Sequence, residues 1–287
     1  MQQVTGTFQQ IQGQSVQEAL LQQAYNNLLQ NYSHTIQERM ALLRLCVVVP
    51  TYNNQQTLSD VLNDILQYTS SVIVVNDGST DNTANILDGF AGKIKVISYL
   101  PNKGKGYALK NGFNEAERLG YRGAITIDSD GQHFASEIIR FVESAEKYPD
   151  AFLIGQRTSE GNMPAKNSFA NQFSNFWFAV QTAYRLSDTQ NGFRLYPLAA
   201  MNGLRPVSSR YEAELEMLVR SAWKGIRIIP VPVRVYYPPE GERVTHFRPG
   251  KDFFRISVLN ALFTLLAVIY GYPSMFIHRL FTKKKKS

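Results

Sequence analysis

From Leu45 onward, short apolar runs alternate with stretches of helical periodicity, and this alternation leaves few folds open to the chain. Leu45–Val49 reads as a strand ending at Pro50, and Leu58, Val61, Leu62, Ile65 and Leu66 mark an amphipathic helix. Strands are then expected at Val72–Val75, Ile94–Ser98, Ala124–Ile127 and Phe152–Ile154. Helices are expected between them, at Asp81–Leu87, Tyr107–Leu119 and Phe134–Lys147. This spacing predicts βαβ units, and so an α/β fold with a mostly parallel sheet flanked by helices. Ligands on such sheets bind beyond the carboxyl ends of the strands. Four loops rich in polar residues and glycine fall there: Pro50–Asn54, Asn76–Asp81, Asn102–Gly106 and Asp128–His133.

Further along, an aromatic-rich helix is expected over Asn171–Tyr184, a polar loop over Ser187–Arg194, a helix over Glu212–Trp223 and a Pro-broken strand over Ile226–Val235. Before Leu45 the chain is rich in Gln. Ser15-Val-Gln-Glu18 has the form of a capping box, and Val16, Leu20, Ala24 and Leu28 follow at helical spacing. One helix is expected over 15–30 and a second over 35–43, as an appendage without chemistry of its own; packing on the main domain or pairing with a partner are the alternatives. The divisions expected are therefore a helical extension at 1–43, a main domain at 44–242 and a tail at 243–287.

With 287 residues, 44% of them hydrophobic, the chain can bury one large core. Cys46 is its one cysteine, so no internal disulfide forms, which suits the cytosol. The N-terminus lacks the basic and apolar pattern of a secretory signal. The net charge of +7 is concentrated in the tail: from Arg243 on there are nine Lys or Arg and one acid, Asp252. Charge confined in this way argues against nucleic acid as a partner. It flanks Ile256–Ile277, 22 residues without a charge, and that combination suits anionic lipid headgroups. The alternative is that Lys283–Lys286 is a solvated tail. Ser257, Asn260, Thr264 and Gly271 fall on one narrow helical face. Gly271 and Pro273 predict a helix over about 256–270 and a short second one, lying in the membrane interface or re-entrant. A single membrane span and a buried core helix are the alternatives.

Asp128-Ser-Asp130-Gly-Gln132-His133 follows the strand beginning at Gly123. In extended chain, residues i and i+2 share a side, so Asp128 and Asp130 face one point. Two converging carboxylates call for a cation, and hard oxygen ligands suit Mg²⁺ or Mn²⁺. In Val47-Val-Val-Pro-Thr-Tyr-Asn53, Pro50 fixes the turn and Tyr52 can stack on a nucleobase; an ordinary strand end is the bland reading. In Val75-Asn-Asp-Gly-Ser-Thr-Asp81, Asp77 can accept bonds from a base or ribose, while Asp81 reads as a helix cap. Asn102-Lys-Gly-Lys-Gly106 opens a helix, where glycines admit a ligand and the N-terminus favours anions. It lacks the P-loop spacing, and no Gly-x-Gly-x-x-Gly follows the first strand.

Taken in order from about Leu45 to Tyr237, five motifs resemble family-2 glycosyltransferases of the GT-A fold. The nearest subgroup is that of dolichol-phosphate mannosyltransferase and bacterial polyprenyl-phosphate glycosyltransferases. The motifs are Val-Val-Pro-Thr-Tyr-Asn, Asn-Asp-Gly-Ser-Thr-Asp, Asn-Lys-Gly-Lys-Gly-Tyr-Ala, Asp-Ser-Asp-Gly-Gln-His and Asp-Thr-Gln-Asn-Gly-Phe-Arg. The resemblance implies a GT-A catalytic domain at 44–242 and a UDP- or GDP-sugar donor. Pro50, Tyr52, Asn53, Asp77 and Gly78 would hold the nucleoside, with Lys105, Gly106, Asp128 and Ser129 completing the donor site. Asp128, Asp130 and Gln132 would hold Mg²⁺ or Mn²⁺ on the pyrophosphate. His133 is either a second layer to that site or structural.

On the acceptor side the resemblance implies roles for Asp188, as general base or loop holder, and for Arg157 and Arg194, as phosphate clamps or packing ion pairs. Glu212 and Glu214 open a helix, and Glu214 is a second base candidate. Arg243–Pro249 resembles a segment that closes over the site, bringing His246 and Arg248 to phosphate. Asn54, Asn76 and Asn191 depart from the family's usual Glu, Asp and Ser. The expected activity is inverting, metal-dependent sugar transfer to polyprenyl phosphate or another membrane lipid. The expected place is the cytoplasmic face of the membrane, with the surface bound through 256–287. A soluble or protein acceptor, and a catalytically inactive scaffold, are the competing readings. Homo-oligomer formation is left open.

Overall fold

The computed structural model describes residue 23 and residues 35–158, 165–237 and 249–284. Its strands are β1 (Leu45–Thr51), β2 (Val72–Asp77), β3 (Lys95–Tyr99), β4 (Gly123–Thr126), β5 (Phe152–Arg157), β6 (Arg194–Tyr196) and β7 (Ile228–Val233). They form one sheet in the order β3-β2-β1-β4-β6-β5-β7. Every neighbouring pair is parallel except those made by β6, which runs against both β4 and β5. The helices are α1 (35–42), α2 (Leu58–Leu66), α3 (Thr83–Asp88), α4 (Lys105–Arg118), α5 (Ile138–Lys147), α6 (Ala165–Thr182), α7 (Leu198–Met201), α8 (Glu212–Trp223), α9 (Pro249–Leu266) and α10 (Tyr272–Lys284).

Strand β1 shows how the layers are built. Leu45, Val47 and Val49 point into a core shared with α1, α2 and α5, while Cys46 and Val48 join the opposite core under α4 and α8. Both faces are covered, so the strand is apolar at nearly every position. The expected α/β architecture is the one observed. Two details differ from the sequence reading. Ile36 and Met40 are fully buried, so α1 is part of the core rather than an appendage. The helix expected over 15–30 lies outside the described residues. The loop expected to end at Arg194 runs straight into β6, a strand of three residues that is too short to give a periodic signal. Strand β7 carries Pro230 and Pro232 at the sheet edge, where a missing N–H costs no ladder bond.

The tail differs more. It is not two separated helices: α9 passes through a π-helical turn at Ala267–Gly271 directly into α10, with Tyr272 helical. The wider π turn accommodates the helix ahead of Pro273, which cannot donate a backbone bond. The narrow polar face is turned inward. Asn260 and Gly271 are buried, and Gln181 donates to the Asn260 carbonyl and side-chain oxygen at 3.2 Å each. Gly271 lets the helix press on Trp223, where a Cβ would collide with the indole. Phe263, Ala267 and Met275 complete the buried stripe. Outward, Phe254, Val258, Leu262, Leu265, Ile269 and Phe276 are 50–76% exposed. Phe254–His278 is long and apolar enough to cross a membrane, yet one face is fastened to the domain.

Candidate active site

The loops after β1, β2 and β4 meet at the carboxyl ends of those strands and are tied together by short polar side chains. Asn53, at a φ of +50°, accepts the Thr80 N–H on Oδ1 at 2.8 Å, and its own N–H donates to Ser79 at 3.0 Å. Ser129 is buried between the two aspartates. It receives a bond from the Asn54 amide at 2.5 Å and donates to the Pro50 carbonyl at 3.2 Å. Its own carbonyl accepts from Thr57 at 2.6 Å. Ser129 therefore bolts the β4 loop to the β1 loop, and its side chain is not turned to a donor. The same bond gives Asn54 a role where the family usually has Glu.

Asp77 is likewise engaged within the chain. Its carboxylate accepts the backbone N–H groups of Lys103 and Gly104 at 2.8 and 2.7 Å and the Asn102 amide at 2.8 Å. Gly78, at a φ of +71°, leaves no space for a side chain against Asn102. Together these residues fix the loop that opens α4. Gly104 and Gly106 serve the same packing: a Cβ on either would strike the carbonyls of Ser209 or Ser208. The close approach expected for a ligand is made here by the chain itself. Asp81 stands one residue before the N-cap of α3, Asn82, and accepts the Thr83 N–H at 3.0 Å.

At the centre lies a compact charge cluster. The Lys105 ammonium stands 2.7 Å from Asp128 Oδ1 and 2.9 Å from Glu214 Oε2, with only 15% of its side chain exposed. Burial alone would lower its pKa, but the two carboxylates outweigh burial and raise it. Burial disfavours the Asp128 carboxylate, yet Lys105, with Arg194 behind it, holds its pKa below the usual range. Asp130 goes the other way: burial and then the charge on Asp128 push it up to about 6. Burial drives His133 down to about 4, so its imidazole is neutral and packs on Phe193 at 5.3 Å. Gly192 completes the cluster from the loop before β6. A side chain there would run into Asp128 Oδ2.

The cluster fits a divalent cation by its chemistry. Its donors are hard oxygens, and Asp130 is electrostatically frustrated by Asp128, which a shared cation relieves. Among the described residues no three His, Cys, Asp or Glu are gathered to hold an ion alone. Gln132 is in place beside the pair; its N–H donates to Asp130 at 3.0 Å and its carbonyl accepts from Tyr236 at 2.8 Å.

The loop after α6 forms the other wall. Asp188 binds Arg157 at the end of β5 through two bonds of 2.5 and 2.9 Å, and Arg157 also donates to the Tyr237 hydroxyl at 3.3 Å. Asn175 and Asn171 hold this loop by the Ser187 carbonyl. Asp188 is thus a loop-holding carboxylate paired with a guanidinium. Arg194, 1% exposed, gives its N–H groups to the carbonyls of Asn191, Glu214 and Thr189 at 2.7, 2.6 and 2.8 Å. Buried and committed to three backbone carbonyls, it is a structural strut rather than a surface phosphate clamp. Glu214 is held by Lys105, which ties the start of α8 to the start of α4.

Tyr52 is half-buried at the β1 turn, on the same rim. His246 and Arg248 lie outside the described residues. Sequence reasoning passed over Gly192, although it stood within a quoted motif. It also passed over Glu216, which takes the Val207 and Ser208 N–H groups at 2.8 and 2.7 Å and so secures the segment packed on α4.

The family model described as glycosyl transferase family 2 matches residues 46–202, more than half of the chain. The chain belongs to glycosyl transferase family 2. Similar proteins include the UDP-N-acetylglucosamine–dolichyl-phosphate N-acetylglucosaminyltransferase of Methanococcus voltae, 27% identical over 77% of this chain and 98% of that one. The polyprenol monophosphomannose synthase of Mycolicibacterium smegmatis is 26% identical over 66% and 76%. The fold of this family-2 glycosyltransferase resembles glucosyl-3-phosphoglycerate synthase of Mycobacterium tuberculosis, solved with Mn²⁺, UDP-glucose and phosphoglyceric acid. The TM-score is 0.59 at 17% identity, covering 82% of this chain and 83% of that chain. The expected GT-A architecture is therefore the one present.

Proposed function

We propose that this glycosyltransferase moves a sugar from a UDP- or GDP-linked donor to polyprenyl phosphate or a related membrane lipid, inverting the anomeric centre, at the cytoplasmic face of a membrane. The observation that carries this reading is the double use of helix α8. Its first turn places Glu214 in the charge cluster, and its last residue, Trp223, packs on the tail that turns an apolar face outward. One rigid element thus links the donor carboxylates to a lipid-compatible surface. The names of the dolichyl- and polyprenyl-phosphate relatives support the acceptor class.

In this reading Asp128, Asp130 and the Gln132 amide hold Mg²⁺ or Mn²⁺, which offsets the charge growing on the departing nucleoside diphosphate. The β1 and β2 turns shape the nucleoside site, with Asp77 acting through the loop it fixes. A phosphate acceptor is already ionised near neutral pH, so it needs orientation more than proton removal. Arg157, aligned by Asp188, supplies positive charge on that side.

The test presents individual UDP- and GDP-sugars with Mn²⁺ or Mg²⁺ to the protein on vesicles containing polyprenyl phosphate. A single preferred donor should yield a glycolipid of inverted anomeric configuration by NMR. Transfer confined to water-soluble acceptors would overturn the lipid assignment.

A further inference from the structure

Lys105 stands where a second cation has to work. It holds the Asp128 oxygen at 2.7 Å while also holding Glu214 at 2.9 Å. Asp128 has little freedom to serve two cations at once. Its other oxygen faces Gly192, with no space even for a methyl group. Glu214 depends on Lys105 in turn: its second oxygen is buried without a hydrogen-bond partner, and the Arg194 Nε is 4.0 Å away. A doubly charged ion beside an ammonium on one mostly buried carboxylate is strongly repelled, because the low local dielectric screens little.

We propose that Lys105 is an internal cation that competes with the divalent ion for Asp128 and thereby couples ion binding to nucleotide binding. This rests on the donor reading of the same site. An arriving diphosphate offers the Lys105 ammonium new oxygens, so nucleotide eases its release from Asp128 and the ion binds with less repulsion. The ion alone binds weakly, and ion and nucleotide bind as a pair. By linkage, each strengthens the other by the same factor.

The test measures Mn²⁺ affinity by calorimetry or electron paramagnetic resonance, with and without UDP or GDP. In the natural protein, nucleotide should tighten Mn²⁺ binding on the order of tenfold or more. Lys105→Met should bind Mn²⁺ alone about tenfold more tightly, with the nucleotide effect reduced to about twofold. Lys105→Arg should keep the natural pattern. Because Lys105→Met strands Glu214, the double variant Lys105→Met/Glu214→Gln removes one charge of each sign, and its Mn²⁺ affinity should rise in the same way. Unchanged or weaker Mn²⁺ binding in a folded Lys105→Met or double variant would overturn the competition. Failure of the natural protein to bind either nucleotide with Mn²⁺ would instead sink the donor reading itself.

Discussion

The loops around Asp128 are joined to one another mainly by short polar side chains, with the Lys105 ion cluster at their centre, whereas the loop around Asp188 is held by long guanidinium side chains. Asn53, Asn54, Asp77 and Ser129 tie loops that leave three neighbouring parallel strands. On the other side, Arg157 reaches Asp188, and Arg194 reaches the carbonyl of Glu214. The first arrangement joins its loops largely through neutral side chains and backbone, around one compact ion cluster. The second depends on buried ionic partners, which are costly to leave single. Loss of a donor-wall carboxylate should therefore cost more activity, while loss of one acceptor-wall charge should act by loosening the loop it holds.

The largest expected effect tests the donor wall. Asp130→Ala should cut transfer on the order of 10³-fold and abolish Mn²⁺-dependent nucleotide binding, while thermal unfolding stays cooperative. Undiminished turnover would remove the carboxylate pair from the mechanism. Next, Asp188→Asn should lower kcat about 10²-fold by loosening Arg157, with nucleotide affinity unchanged in the same titration. If donor affinity fell in parallel, the two walls would not be separable.

A pH series sharpens the contrast from within the β4 loop. Burial depresses His133 to about 4, below its unfolded value of about 6.5. The folded state then binds fewer protons than the unfolded state between those values. The His133 contribution is complete above pH 6.5 and is lost as pH falls toward 4, by up to about 3 kcal/mol. Asp130, raised to about 6, has the opposite slope between about 4 and 6. Urea unfolding at pH 6.5 and 5 should show a steeper acid loss in Asp130→Asn than in the natural protein, and a shallower one in His133→Phe. The smallest effect on the fold comes from the tail. Leu262→Asp with Leu265→Asp should shift stability by about 0.5 kcal/mol or less while abolishing sedimentation with anionic vesicles. Sedimentation that persisted would detach the tail from the lipid reading.

What could be read in the sequence follows the same division. The parallel strands, their loops and the aspartate pair lie in contiguous motifs, so periodicity and residue type located them. The acceptor wall was legible as a set of names and not as an arrangement. Arg194 stood in a recognisable motif, but only the fold shows its guanidinium spent on three carbonyls. Gly192 is meaningful only once Asp128 is beside it. Strand β6 was hidden because three residues carry no period; α1 was read as a helix, but the burial of Ile36 and Met40 depends on helices far along the chain. The polar stripe of the tail was seen, but the side it faces was set by Trp223 and Gln181, distant in sequence.

The π turn at Ala267–Gly271 has a consequence for phase. Phe263, Ala267, Gly271 and Met275 all face the domain and recur every fourth residue. In a regular α-helix each such step advances the face by about 40°, so Met275 would have rotated well away from Trp223. One wide turn absorbs that drift and keeps a single seam from α9 into α10. Removing one residue from the turn would rotate all of α10 by about 100°, exchanging its inner and outer faces in part. The apolar surface that the protein presents is thus indexed, like a key cut, by the residue count of one turn.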